Sequence, residues 1–142
     1  MKTVRQLLAG KSLTLATIAP DAPVLEALRL LAQHDVGALL VTEGGRLVGI
    51  LSERDYARKV VLQGKNSIDT PVREIMTEKV ISVSPDQTTE DCMAIMTAKR
   101  IRHLPVLDNG MLAGVLSIGD LVKETIADQQ DRIQQLESYI HS

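Results

Sequence analysis

Two serine–aspartate pairs are the residues of this sequence best placed to do chemistry. Ser52 and Asp55 stand three positions apart, as do Ser117 and Asp120. Each pair closes the same phrase, Gly-x-Leu-x-Gly-x-Leu-Ser-x-x-Asp, at 45–55 and again at 110–120, a shift of 65 positions. A serine followed three residues later by an acid is the pattern of a helix capping box, which needs no ligand and contributes about 0.5–2 kcal/mol. The same geometry also suits a nucleotide. A helix start offers N–H groups and a positive dipole end to a phosphate. The hydroxyl can join those donors, and a carboxylate one turn in can accept two hydrogen bonds from a ribose diol.

The neighbours of the two pairs differ. Arg102 and His103 precede Leu104-Pro105-Val106 in the second copy and can bring charge or hydrogen bonds to a phosphate. The aligned residues of the first copy are Gly37 and Ala38, small and neutral, and charge comes instead from Arg54, Arg58 and Lys59. Two sites, if both exist, are not equivalent. Catalysis is not expected. His34, His103 and the aspartates form no nucleophile–base–orienter set. There is no His-x-x-x-His or Cys-x-x-Cys spacing for a metal, and Cys92 sits among Met93, Ile95 and Met96 as a buried reduced thiol would.

The elements that must position these residues also come twice. Val4–Leu8 and Val72–Met76 read as short helical turns. Leu13–Ile18 and Val80–Val83 are short β-prone runs, ending in turns at Ala19-Pro20-Asp21 and Ser84-Pro85-Asp86. A helix follows each turn. Pro23 suits the first helical position of one, and Thr88 with Asp91 makes a capping box for the other. Val24, Leu28 and Leu31 form one apolar stripe, matched by Cys92, Met93 and Met96. Strands are expected at Ala38–Thr42, Leu47–Leu51, His103–Leu107 and Leu112–Leu116, with hairpin turns at Glu43-Gly44-Gly45 and Asp108-Asn109-Gly110. A second helix starts at each serine of the phrase. The order β-α-β-β-α thus occurs twice, giving an α/β chain with repeats at 3–62 and 72–125, a linker at 63–71 and a helical extension at 126–142.

Composition narrows the classes. The chain has 142 residues, 44% hydrophobic and 24% charged, with two Tyr but no Phe or Trp. It lacks the aromatic platforms that single-stranded nucleic acid stacks on. A net charge of −2 argues against a phosphate-backbone binder. No apolar run is long enough to span a membrane, and no signal-peptide pattern opens the chain, so a cytoplasmic location is expected.

The doubled phrase, together with Arg102-His103-Leu104-Pro105-Val106-Leu107-Asp108 and the element order, resembles the cystathionine-β-synthase (CBS) domain family over about residues 3–125. It is similar to a stand-alone CBS pair, or Bateman module. That resemblance implies two repeats packed with pseudo-two-fold symmetry and adenine nucleotides held in the clefts between them. It implies ribose contacts from Asp120 and Asp55, an approach to the phosphates by Ser117 and Ser52, and His103 and Arg102 facing phosphate, with Ile118, Gly119 and Arg54 as further nucleotide-binding candidates. Thr17, Ile18 and Ala22 would complete the Asp120 site, and Thr88 the Asp55 site. Val36 and Ile101 would form the apolar walls around the adenine, with Ala38 a further nucleotide-binding candidate. Gly37-Ala38 and Leu40 depart from the second half's Arg102-His103 and Pro105, which makes the Asp120 site the better candidate.

Ser52–Lys59 followed by Gln63-Gly64-Lys65 is similar to a subgroup of small bacterial and organellar CBS-pair proteins, whose added basic residues would serve a second phosphate. The function implied is a regulatory, energy-sensing module for AMP, ATP, NAD or S-adenosylmethionine that acts on an unidentified protein partner, most simply as a homodimer. No cofactor is required. The alternative is an interaction scaffold with empty clefts.

The tail breaks the repeat. Leu121–Ser142 holds no Pro or Gly, and Ile126, Ile133 and Ile140 recur every seven residues with Gln129 and Leu136 between them. This is either a short heptad seam or an amphipathic helix laid back on its own domain.

Overall fold

The computed structural model describes residues 2–11 and 15–141. Two compact units divide the chain: Thr14–Ile81, and Met1–Leu13 together with Ser82–Ser142.

In the Thr14–Ile81 unit, strand β1 (Thr17–Ile18) runs parallel to β2 (Ala38–Glu43), which pairs antiparallel with β3 (Arg46–Ser52). Thr14 and Leu13, expected at the head of the first strand, lie outside the described residues. The β2–β3 turn works because Gly44 and Gly45 both take positive φ, 59° and 79°, which side-chain-bearing residues resist. Helix α2 (Val24–His34) buries Val24, Ala27 and Leu31 against Ile18, Leu39, Val41 and Leu51. Pro23 is the cap residue just outside the helix rather than its first turn, since its ψ of 148° is extended. The helix stops at Asp35, which is left-handed at φ 51°. After β3 comes α3 (Glu53–Tyr56), which passes into a π-helical turn over Ala57–Val61 with Val60 in the core.

The other unit has the same plan. Strands β4 (His103–Asp108) and β5 (Met111–Ser117) form a hairpin whose turn residues Asn109 and Gly110 have φ of 52° and 81°. The bulge after Val106 corresponds to the one after Val41. Helix α4 (Thr89–Lys99) starts with the expected box, Asp91 N–H to Thr88 Oγ1 and Thr88 N–H to Asp91 Oδ2. It buries Cys92 and Met96. Burial, then the charge of Asp91, pushes the Cys92 thiol up, which keeps it protonated. The strand expected at Val80–Val83 is reduced to one parallel bridge, Val83 to Val106. Pro105, which stands where β2 has Leu40, has no N–H to extend that ladder.

Each unit also holds an opening segment taken from elsewhere in the sequence. Helix α1 (Val4–Ala9) docks beside α4: Val4 N–H donates to Gln87 O at 2.8 Å and Arg5 N–H to Pro85 O at 2.9 Å. The short 3₁₀ turn Val72–Glu74 repeats this beside α2, with Val72 N–H to Ala22 O and Arg73 N–H to Pro20 O, both 2.8 Å. The arginines then pair with equivalent acids, Arg5 with Asp86 and Arg73 with Asp21. Close approach explains one glycine in each β3/β5 strand. A Cβ on Gly49 would meet Met76 Sδ at 2.6 Å, and one on Gly114 would meet Leu8 Cδ2 at 2.7 Å.

Helix α5 (Ile118–His141) runs for 24 residues. Leu121 is fully buried, and Glu124 pairs with Lys2 at 3.2 Å. Beyond Asp128 every described side chain is exposed. The laid-back alternative therefore fails for the distal half of this helix. His141 closes the helix with its side chain, like Ser142, outside the described residues.

Candidate functional site

The strand register puts the repeated phrase in place. β4 and β5 pair His103 with Ser117, and β2 and β3 pair Ala38 with Ser52. Directly opposed residues of an antiparallel pair share a face, so His103 and the Ser117 hydroxyl lie on the same side. Both phrases form capping boxes. Asp120 N–H donates to Ser117 Oγ at 3.2 Å, and Ser117 N–H donates to Asp120 Oδ2 at 2.8 Å. Asp55 N–H donates to Ser52 Oγ at 3.2 Å, and Ser52 N–H donates to Asp55 Oδ2 at 2.9 Å. The first helical N–H is spent as well: Ile118 donates to Arg102 O and Glu53 to Gly37 O. At each box the N–H groups of the serine, of the residue after it and of the aspartate are thus spent within the fold.

A lysine joins each carboxylate. Lys11 Nζ lies 2.7 Å from Asp120 Oδ2 and 2.8 Å from Val115 O. Lys59 Nζ lies 3.2 Å from Asp55 Oδ1 and 3.0 Å from Ile75 O. Asp55 has both oxygens engaged, Oδ2 by Ser52 and Oδ1 by Lys59. Asp120 takes the Lys11 and Ser117 N–H bonds on Oδ2. Partial burial pushes the Asp120 carboxyl up. The Lys11 hydrogen bond, the Ser117 N–H and the charge of Lys11 outweigh it and hold the group below the ordinary carboxylate value. Asp120 is a charged acceptor at the start of α5.

The remaining candidates are placed as follows. Arg102 is exposed, His103, Ile101 and Ile118 are half-buried, and Gly119 is open to solvent. In the Thr14–Ile81 unit, Arg54 and Val36 are exposed and Ala38 is half-buried. Thr17 is exposed and Ile18 is core, while Ala22 is half-buried and gives its carbonyl to Val72. The Thr88 hydroxyl is committed to capping α4. Lys11 was not legible as a site residue, since it follows Gly10 outside any motif and lies 109 positions from its partner. Lys59 was legible, four residues after Asp55 on one helix face.

Comparison with known proteins decides the family. A CBS domain family model matches residues 11–62 and 72–126, most of the chain. The chain belongs to the CBS domain family. It has two CBS repeats, two small sheets and a C-terminal helix, the fold of a CBS domain pair. A structure of a protein with CBS domains from Burkholderia ambifaria is 53% identical, with a TM-score of 0.87, covering 90% of this chain and 96% of that one. The CBS domain-containing protein CBSX3, mitochondrial, of Arabidopsis thaliana is 42% identical over 125 residues, covering 84% of this chain. The match spans 61% of that relative's length. The CBS domain protein PAE2072 from Pyrobaculum aerophilum, solved with AMP, is 31% identical with a TM-score of 0.75, covering 84% of this chain and 89% of that one. Among the described residues, no helix is long and apolar enough to cross a membrane.

Proposed function

We propose that this CBS pair is a regulatory module that binds an adenine nucleotide at the start of α5. The observation that carries the reading is Asp120 itself, an ionised carboxylate at the start of α5 with Lys11 at 2.7 Å and the exposed Gly119 beside it. A ribose diol needs such an acceptor. Lys11 supplies the positive charge within reach of a phosphate that the sequence reading sought in Arg102, and His103 shares the face of Ser117. The AMP held by the Pyrobaculum protein supports the ligand class. AMP, ATP and NAD are the candidates, with S-adenosylmethionine a further adenosine-bearing one. The Asp55 site is the weaker of the two, because Gly37-Ala38 stands where the other repeat has Arg102-His103.

We read the module as non-enzymatic. A carboxyl held low and locked in an ion pair is poorly matched to proton transfer near neutral pH. Its output would pass to a protein partner through a homodimer, with the cytoplasm as the proposed compartment.

Melting of the full chain with millimolar AMP, ATP or NAD tests this. A ligand at a hundred times its dissociation constant adds about 2.7 kcal/mol, a shift of several degrees. Asp120→Ala should lose that shift while Asp55→Ala keeps most of it. No shift with any of the three nucleotides defeats the proposal and leaves the scaffold reading.

A further inference from the structure

The distal part of α5 carries a stripe that its own unit leaves uncovered. Val122, Ile126, Ile133, Leu136 and Ile140 are 43%, 50%, 54%, 63% and 73% exposed. With Gln129 they fill every a and d position of a heptad frame in which Ile126 is a. The side facing the body is different: Leu121, Glu124 and Asp128 lie about a third of a turn round the helix from this stripe. Such a contiguous apolar stripe on an otherwise polar helix marks a binding surface.

We propose that the stripe pairs with the same stripe of a second copy of this chain, as a parallel two-stranded coiled coil. Three features select that occupant and direction. Isoleucine at a with leucine at d favours parallel dimers. Gln129 meets its own counterpart only in the parallel register, where the two amides can bond to each other; antiparallel pairing would set it against Ile133. The flanking charges agree, since Arg132 at g faces Glu137 at e of the second copy in parallel pairing. This inference rests on the homodimer reading and names its surface; it does not depend on the nucleotide.

The test uses the full chain at micromolar concentration in sedimentation equilibrium. Wild type is expected at dimer mass and Ile133→Asp at monomer mass. An unchanged melting temperature for Ile133→Asp at matched monomer population shows that the body still folds. Under mild oxidation Leu136→Cys should form a covalent dimer, because parallel in-register pairing brings the two positions within the roughly 7 Å Cα separation a disulfide tolerates. Antiparallel pairing would set them about 15 Å apart along the axis. Ser138→Cys, on the f side, is the control. A dimer that survives Ile133→Asp, or a Leu136→Cys that crosslinks no better than Ser138→Cys, overturns this inference alone. A monomeric wild type overturns the homodimer reading with it.

Discussion

The two capping boxes share their letters and their hydrogen bonds and differ in what lies next to them. At Ser52–Asp55 the neighbouring cation comes from the same helix, one turn on. At Ser117–Asp120 it comes from a segment 109 residues away. The first box opens a helix that gives way to a π-helical turn after four residues; the second opens a helix of 24. Identical local motifs have thus been given different electrostatic surroundings. A repeat copies caps and turns faithfully, while the charge around them is set by whatever chain passes by.

The largest expected contrast is steric and compares Gly49 with Gly114. Gly49→Ala drives a Cβ toward Met76 and to 3.2 Å from the Thr77 carbonyl, which is fixed by its hydrogen bond to Ile50. Gly114→Ala meets only the flexible end of Leu8. Overpacking costs about 1–3 kcal/mol, and Gly49→Ala should fall at the upper end and Gly114→Ala at the lower. Equal losses in urea melts would break the distinction.

Removing the cap hydroxyls should affect both halves alike. Ser52→Ala and Ser117→Ala are each expected to cost about 1 kcal/mol. A null effect at Ser117 would show that its box is spent on function rather than stability.

The lysines sharpen the comparison further. Lys11→Met removes a 2.7 Å charge-assisted bond to a half-buried carboxylate and should cost roughly 1 kcal/mol. Lys59→Met removes a pair one turn apart on a helix and should cost a few tenths of a kcal/mol. Chemical denaturation of the two variants side by side checks the order.

The smallest effect is in acid. Folding lowers the Asp120 carboxyl below its ordinary value of 3.8, so the unfolded chain binds that proton first. The stabilisation is complete above the ordinary value and is lost as pH falls from there through the folded value. Lys11→Met should flatten this part of the stability–pH curve. Unchanged acid sensitivity in that variant would show that Lys11 does not set the carboxyl.

Much of the fold was legible because its signals are local. The hairpins followed from Gly44-Gly45 and Asn109-Gly110, and the helix starts from Thr88-x-x-Asp91 and the two Ser-x-x-Asp phrases. Errors came where local pattern met missing donors. Val80–Val83 reads as a strand, yet Pro105 in the facing strand lacks the N–H to sustain one. Pro23 reads as a first helical residue, yet its backbone is extended. The candidate site was half legible: the serines, aspartates and His103 were named from spacing and resemblance, while Lys11 was not.

By itself the sequence determined the helix–strand–strand–helix order of each repeat, the caps and the heptad spacing of the tail. Each of these is encoded within a few residues by turn chemistry, capping or periodicity. Only tertiary structure decided that Val4–Ala9 docks beside Pro85–Gln87 and Val72–Glu74 beside Pro20–Ala22. It also decided that Lys11 reaches Asp120, and that the tail's seam faces away from its own unit. Contacts across 50 to 109 residues depend on the path of the whole chain, and no local spacing records them.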